Sequence, residues 1–492
     1  MTRYRHLITD ENAKWWTLGA MCFALFMVML DNTVVNVALP SIQRDLGTSI
    51  GELEWTINGY TLTFGVLLVT GGRLGDIFGR RLMFMAGVVI FAITSATAGL
   101  AASPEMLVAS RIVQGVGAAL MMPATLSIIT NAFPPAERGK AIGTWAGVSA
   151  LALSIGPLVG GFLVEHVSWR AIFFINLPVA AIAVIAALFA VRESRDGTIA
   201  RVIDYGGVAT LTVALTAIVL ALIEGNSWGW GSPGIVALFV GGALMLGAFV
   251  AVELRGRAPM VEFKFFGERN FLGANAVAFV VTFAMLGTFF FMALYMQDVL
   301  GYSALEAGVR FLPTTMVIAV IAPLAGRLTD RIGPLTPMAG GLGILAVDMY
   351  LFSRIDPATT YSDLLLPFVL MGIGIALVMS PMSTAAMNAV SHHKAGIASG
   401  ILQMSRMIGG AVGVAATGAI FQAQLGAFDP AALATGGEAA RADFVHALSS
   451  AMEVSAFVAL TGALIALATI RGRPERQPAA PEAAGAEQHA PA

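Results

Sequence analysis

Apolar residues arrive in runs of about twenty along most of the chain, separated by short polar stretches. A helix rises about 1.5 Å per residue, so a run of that length crosses the hydrocarbon of a bilayer. The pattern predicts fourteen spans, near 15–39, 53–71, 82–101, 106–130, 139–164, 169–191, 205–223, 234–254, 271–298, 305–325, 335–353, 361–381, 395–422 and 450–470. Backbone groups cannot stay unpaired in lipid, so the expected fold is all-α and integral to the membrane. The first run is too long for a leader core and lacks a cleavage site, so it reads as a retained helix. The connection 423–449 is the longest on its face, and its Phe428-Asp429-Pro430 start predicts a short surface helix. The tail after Arg476 is rich in Ala, Pro, Glu and Gly and has nothing to bury, which predicts disorder.

Between the second and third runs stands a charged, glycine-punctuated break that reads as a loop, Gly72-Arg73-Leu74-Gly75-Asp76-Ile77-Phe78-Gly79-Arg80-Arg81. A copy lies 254 positions later, Gly326-Arg327-Leu328-Thr329-Asp330-Arg331-Ile332-Gly333. Gly115-Val116-Gly117-Ala118-Ala119-Leu120 is echoed by Gly372-Ile373-Gly374-Ile375-Ala376-Leu377, at an offset of 257. Two near-constant offsets predict a duplicated bundle in parallel orientation, with two further helices between the copies.

Composition and charge sharpen this picture. The 492 residues are 57% hydrophobic and 12% charged, against roughly 25% charged in a soluble domain. The single cysteine, Cys22, excludes disulfides within the chain and a cysteine metal site. Of the 28 Lys and Arg, five (Arg44, Arg170, Arg310, Arg354, Arg441) fall on one set of alternating connections and two, Arg111 and Arg406, within spans. The other 21 lie on the set that includes the basic N-terminus. By the positive-inside rule that set is cytoplasmic, with both chain ends. The expected division is 1–14 as a cytoplasmic N-terminus, 15–200 and 265–472 as six-helix bundles, 201–264 as two extra spans, and 473–492 as a disordered tail. Net charge is −2 and no phosphate-binding loop occurs, so neither nucleic acid nor nucleotide is an expected partner. Zinc-protease and nucleophile-elbow patterns are missing too, which argues against an enzyme. No cofactor or metal is expected.

Few residues can carry chemistry. Asp31 interrupts the first apolar run; at mid-span an ionisable group costs about 2.5–3.5 kcal/mol on insertion scales and needs a partner, water or a proton. Arg111, inside the fourth span, cannot deprotonate and must face a carboxylate, carbonyls or water. The two could form a fixed structural pair, or a pair whose carboxylate loads and releases a proton. Asp348, in the eleventh span, reads equally as a second proton or cation site, a paired residue, or one that snorkels outward. In the fifth span, Gly156 and Gly160 share a face and permit close helix contact. Pro157 between them favours a bend, and Gly161 completes a string more specific than ordinary packing. Glu224, Glu253 and Asp298 read as boundary charges, Arg406 as a packing and interface charge, Trp228 and Trp230 as interface anchors, and His392-His393 as a solvated loop. The methionines and aromatics around Phe289–Met296 suit a pocket for varied lipophilic ligands, or simply lipid and core.

Together these marks resemble the major facilitator superfamily, in its fourteen-helix drug:proton antiporter branch. The resemblance rests on Leu30–Pro40, the Gly72–Arg81 break, Arg111-Ile112-Val113-Gln114-Gly115, the Gly156–Gly161 string and Trp169–Pro178, and covers about 15–470. It implies two parallel six-helix bundles plus two additional central helices. It also implies a monomeric, multi-pass protein of the inner (cytoplasmic) membrane that exports lipophilic drugs or antibiotic-like molecules in exchange for protons, by alternating access. On that analogy Asp31 is the proton or substrate carboxylate, Arg111 the coupling residue, and Asp348 the main candidate for a further acid. An importer, or a non-transporting membrane sensor or enzyme, is the competing reading. Asp76 and Arg80 are expected to hold the inner ends of the bundles together in the outward-open state; the alternative is a bare orientation signal from Arg73, Arg80 and Arg81.

Overall fold

The structure, a computed structural model, describes residues 12–195, 203–256, 259, 261–390, 395–425 and 437–471. The chain ends, His392-His393 and Phe428-Asp429-Pro430 lie outside the described residues, as does the side chain of Asp330. The described residues form helices and no strand, as a lipid environment requires. They are α1 (Ala13–Leu46), α2 (Ile50–Phe78), α3 (Arg80–Gly99), α4 (Pro104–Ala132), α5 (Pro135–His166), α6 (Ala171–Phe174) and α7 (Asn176–Ala190). Next come α8 (Tyr205–Trp228) and α9 (Pro233–Arg255). The rest are α10 (Arg269–Leu294), α11 (Ala304–Arg310), α12 (Leu312–Ile332), α13 (Leu335–Phe352), α14 (Tyr361–Asn388), α15 (Ala395–Leu425) and α16 (Glu438–Thr469).

Thirteen stretches among the described residues are long and apolar enough to span a bilayer. The remaining expected span, 139–164, falls on α5, several of whose side chains lie outside the described set. The sixth span is made of α6 and α7, and the tenth of α11 and α12, each pair nearly continuous. The near face of the molecule is the one where α1 begins, and the far face the one where it ends. On the far face, side chains start the helices. Ser49 with Glu52, Ser303 with Glu306 and Thr360 with Asp363 form capping boxes on α2, α11 and α14, which satisfy amides that helical turns leave unpaired.

Two boundaries differ from the sequence reading. The Gly72–Arg81 stretch is not a loop: α2 continues through Phe78 and breaks only at Gly79, whose φ of 126° is open to glycine alone. Its copy does the same, α12 running to Ile332 before Gly333 at φ 85°. Glycine weakens a helix by about 1 kcal/mol, but packing overrides it here. A Cβ on Gly71 would lie 2.0 Å from the Ala119 carbonyl oxygen, so α2 rides directly on α4. The last helix begins at Glu438, not near 450, which shortens the 423–449 connection.

Helices α1 to α7 pack mainly among themselves, as α2 on α4, α3 on α4 and α1 on α5 and α7. Helices α10 to α16 do likewise, as α10 on α15 and α13 on α14 and α16. Helices α8 and α9 pair, and α8 lies against both α2 and α15. Buried apolar side chains form two clusters. One gathers residues of the first half such as Met21, Phe64, Phe91 and Ala183, joined by Met407. The other runs from Val34, Leu53 and Phe173 of the first half into Phe291, Phe368 and Met452 of the second. Its first-half members lie on the far portions of α1 and α2, on α6, and at the far ends of α3 and α4, so that is where the halves share this core.

Candidate functional site

Five helices of the first half converge on Asp31. Arg111 reaches it from α4: its Nη1 donates to Asp31 Oδ2 at 2.6 Å and to Gln114 Oε1 at 2.8 Å. Its Nε donates to the Thr56 carbonyl on α2 at 3.1 Å. The guanidinium lies 4.3 Å from the centroid of the Tyr60 ring. The second carboxylate oxygen of Asp31 accepts from Gln114 Nε2 and from Asn176 Nδ2 of α7, both at 3.2 Å. Asn176 also donates to Ser95 of α3 at 2.9 Å, and Ser95 donates to the Phe173 carbonyl at 2.8 Å. Asp31 is 0% and Arg111 2% exposed. A buried ion pair holds only while both charges are present and their remaining valences are met. This one meets them with two amides and a carbonyl.

The sequence singled out Asp31 and Arg111, and the structure joins them. It missed Gln114 and Asn176 as their partners, though each is an amide side chain within an apolar run. Asp348 is not brought to this site. It is buried in α13 of the other half, and neither carboxyl oxygen has a hydrogen-bond partner among the described residues.

The Gly156–Gly161 string works on two faces of α5. A Cβ on Gly156 would lie 1.8 Å from Thr33 Oγ1, and one on Gly160 3.0 Å from the Val34 Cα, both on α1. On the other face, a Cβ on Gly161 would lie 2.5 Å from the Ala304 carbonyl oxygen of α11. A Cβ on Gly308 of α11 would in turn lie 2.2 Å from the Pro157 carbonyl. The string therefore wedges α5 between α1 and the second half. One turn beyond it Glu165, unremarked in the sequence, accepts from the Ser303 hydroxyl and, at 3.1 Å, from the Leu305 amide. Nearby, Gln297 donates to the Val37 carbonyl at 2.9 Å. These contacts tie the halves at the far face. The Ser303 and Leu305 donors hold the Glu165 carboxyl below its usual range. The latch is therefore fully present above the usual glutamate range and is lost as acid carries the pH down through the lower value of the folded state. Glu165→Gln is expected to weaken far-face closure about twofold, read as a longer spin-label distance across that face at neutral pH.

At the near face, Asp76 Oδ1 accepts from Arg80 at 2.8 Å across the Gly79 break. Glu193, which follows α7, accepts from the backbone amides of Arg81 at 3.1 Å and Leu82 at 3.2 Å and so caps α3. Gly79 makes the room, since a Cβ there would lie 2.6 Å from the Glu193 carboxyl carbon. Arg81 also donates to the Leu188 carbonyl at 2.9 Å. These partners all belong to the first half. Gly72 abuts Pro123, Gly75 is buried and Arg73 half-buried. In the copy Gly326 faces Ser380 and Arg327 is exposed. The Trp169–Pro178 stretch has a far-face role: Arg170 Nη1 and Trp169 Nε1 both donate to Asp45, at 2.6 and 2.9 Å.

Comparison with known proteins accords with this geometry. A family model described as Major Facilitator Superfamily matches residues 21–414. The tetracenomycin C resistance and export protein of Streptomyces glaucescens is 32% identical, over 95% of this chain and 93% of its own. The puromycin resistance protein of Streptomyces alboniger is 38% identical, over 94% and 92%. Among solved structures, an inward-facing bacterial homolog of the human lysosomal transporter Spinster superposes with a TM-score of 0.67 at 19% identity, covering 93% of this chain and 97% of that one. With the match spanning most of its helices, the chain belongs to the Major Facilitator Superfamily.

Proposed function

We propose that the protein exports lipophilic, antibiotic-like small molecules across the cytoplasmic membrane in exchange for protons, by alternating access, as a monomer with both ends in the cytoplasm. The observation that carries the reading is the Asp31–Arg111 pair, a buried charge pair at mid-span. The relative named for tetracenomycin C resistance and export supports the direction, and it and the relative named for puromycin resistance support the substrate class. The division into 15–200, 201–264 and 265–472 supplies the two bodies that would rock against each other. Asp348 is the candidate for a further acid on the second body. The test is efflux of labelled puromycin and of a lipophilic dye panel from proteoliposomes. An imposed pH gradient should drive efflux, and efflux indifferent to that gradient, or net uptake in the reverse sense, overturns the reading.

The near-face break fits the switching step. With the far face tied shut, Asp76 and Arg80 bond to each other within one half. In the opposite state they would engage the second half. Asp76→Asn is therefore expected to slow efflux several-fold and to deplete the outward-open population, as seen by label distances across the near face. Unchanged rates and populations would leave only an orientation signal.

A further inference from the structure

Glu54 stands one turn into α2 near the far face, where the sequence suggests a water-washed span edge. It is 0% exposed. Helix α15 of the second half covers it. Gln422 Nε2 donates to Glu54 Oε1 at 3.2 Å, while Oε2 has no hydrogen-bond partner among the described residues. Gly418, one turn before Gln422, provides the notch, because a Cβ there would lie 1.9 Å from Oε1. Helix α8 closes the site. Its Asn226 donates to the Ala419 carbonyl at 2.6 Å, and its Ile223 abuts Gly51. One turn along the same side of α2, Asn58 is buried with neither polar side-chain atom partnered.

The charges around Glu54 do not compensate it. Helix α8 brings Glu224, a second carboxylate. Helix α15 brings only Gln422 and the Gly418 notch. Helix α4 brings Arg111, which bonds α2 at Thr56, on another side of the helix, and is occupied by Asp31 and Gln114. An ionised carboxylate here would be a buried charge without a counter-ion beside another acid, an arrangement that low dielectric penalises. A neutral carboxyl fits, and gains a donor.

We infer that Glu54 is a second proton-binding site, and that its proton latches the seam between α2 and α15 with α8 as the cover. Closing the seam takes one proton from the medium onto the Glu54 carboxylate. Opening it wets the carboxyl and returns that proton. The inference deepens the proton-coupled reading above but uses none of its residues. It also gives α8, which lies outside the two repeated sets of six, a task.

The test needs no substrate. Spin labels at Gln43 of α1 and Gln424 of α15, in full-length Cys22→Ser protein in bilayers, report far-face distance against pH. Wild type should lose the short distance as pH rises, its closed-to-open ratio falling by up to about tenfold per pH unit, the limit for one linked proton. Glu54→Gln, which keeps the shape of the neutral acid, should stay closed with no slope. It should also lack a neutral-carboxyl infrared band that bleaches with rising pH in wild type. Gly418→Ala, which fills the notch from the other helix, should open the seam throughout. Asp31→Asn should keep the wild-type slope. A flat wild-type profile, or a slope that survives in Glu54→Gln, overturns the inference. A slope lost in Asp31→Asn but kept in Glu54→Gln overturns it too, while leaving the coupling role of Asp31 standing. A Glu54-dependent slope alongside efflux that ignores the pH gradient would support the latch and overturn only the exporter reading.

Discussion

Asp31→Asn is expected to reduce pH-driven efflux about a hundredfold, the rate equivalent of about 3 kcal/mol. The substitution does two things. It removes the group that would carry the proton, and it strands Arg111, a guanidinium 2% exposed whose only acidic hydrogen-bond partner among the described residues is Asp31. Breaking a buried pair from one side costs about 3–5 kcal/mol, so part of the loss could come from folding alone. The double variant Asp31→Asn with Arg111→Gln separates the two. It removes both charges and leaves amides that can bond each other, Gln114 and Asn176. Thermal stability should recover. Gradient-driven efflux should not, while exchange of labelled for unlabelled substrate without a gradient should persist. Recovery of driven efflux in the double variant would make the pair structural and move proton coupling elsewhere. Asp31→Glu is the milder control: it keeps the charge, shifts it by one methylene, and is expected to retain driven efflux in part.

How much of the fold and site could be read from the chain depends on where each partner comes from. The spans were legible because lipid imposes one rule on every helix: apolar side chains outside, backbone bonds inside. Asp31 and Arg111 were legible because a charge in an apolar run is conspicuous. Their meeting was only one option, since 80 residues separate them. Gln114 and Asn176 stand within conspicuous motifs but suggest no role, because an uncharged amide in a span costs little enough to pass as packing. Glu54, Glu165 and Glu193 escape notice for another reason. Each sits at the end of a run, where the sequence allows water, and it is a helix or terminus distant in sequence that removes the water or supplies the donors. The reading of Gly72–Arg81 as a loop errs in the same way. Glycines and charges in sequence resemble a turn, and only the close approach of α4 at Gly71 explains why α2 continues through them.

The hydrogen bonds between the halves among the described residues share one side. Glu165 with Ser303 and Leu305, Gln297 with Val37, and Glu54 with Gln422 all lie toward the far face. The near-face break finds its described partners within the first half. A two-body transporter alternates by exchanging one such set of contacts for the other, so residues that set how closely the bodies approach at the far face should control the exchange.

Gly161→Ala is the sharpest test of that control, because the clash it creates is with backbone. Its Cβ would lie 2.5 Å from the Ala304 carbonyl oxygen and 2.7 Å from the Leu305 Cα, atoms that no rotamer change can move. Overpacking of this kind costs about 1–3 kcal/mol, and all of it falls on the state in which α5 touches α11. The far-face-closed population should drop by about 5- to 150-fold relative to the open one, with efflux falling in step and thermal stability changing less. Gly156→Ala makes the nominally worse contact, 1.8 Å, but with the hydroxyl oxygen of Thr33. Among the described residues that oxygen is bonded to carbonyls of its own helix, so Thr33→Ala should remove the worst of the clash, leave a Cβ contact at 2.9 Å, and restore part of the lost efflux. No substitution at Ala304 or Leu305 should rescue Gly161→Ala, since the obstructing atoms are common to every residue. Rescue there, or a closed population unchanged by Gly161→Ala, would show that the string only packs α5 and that the halves separate elsewhere.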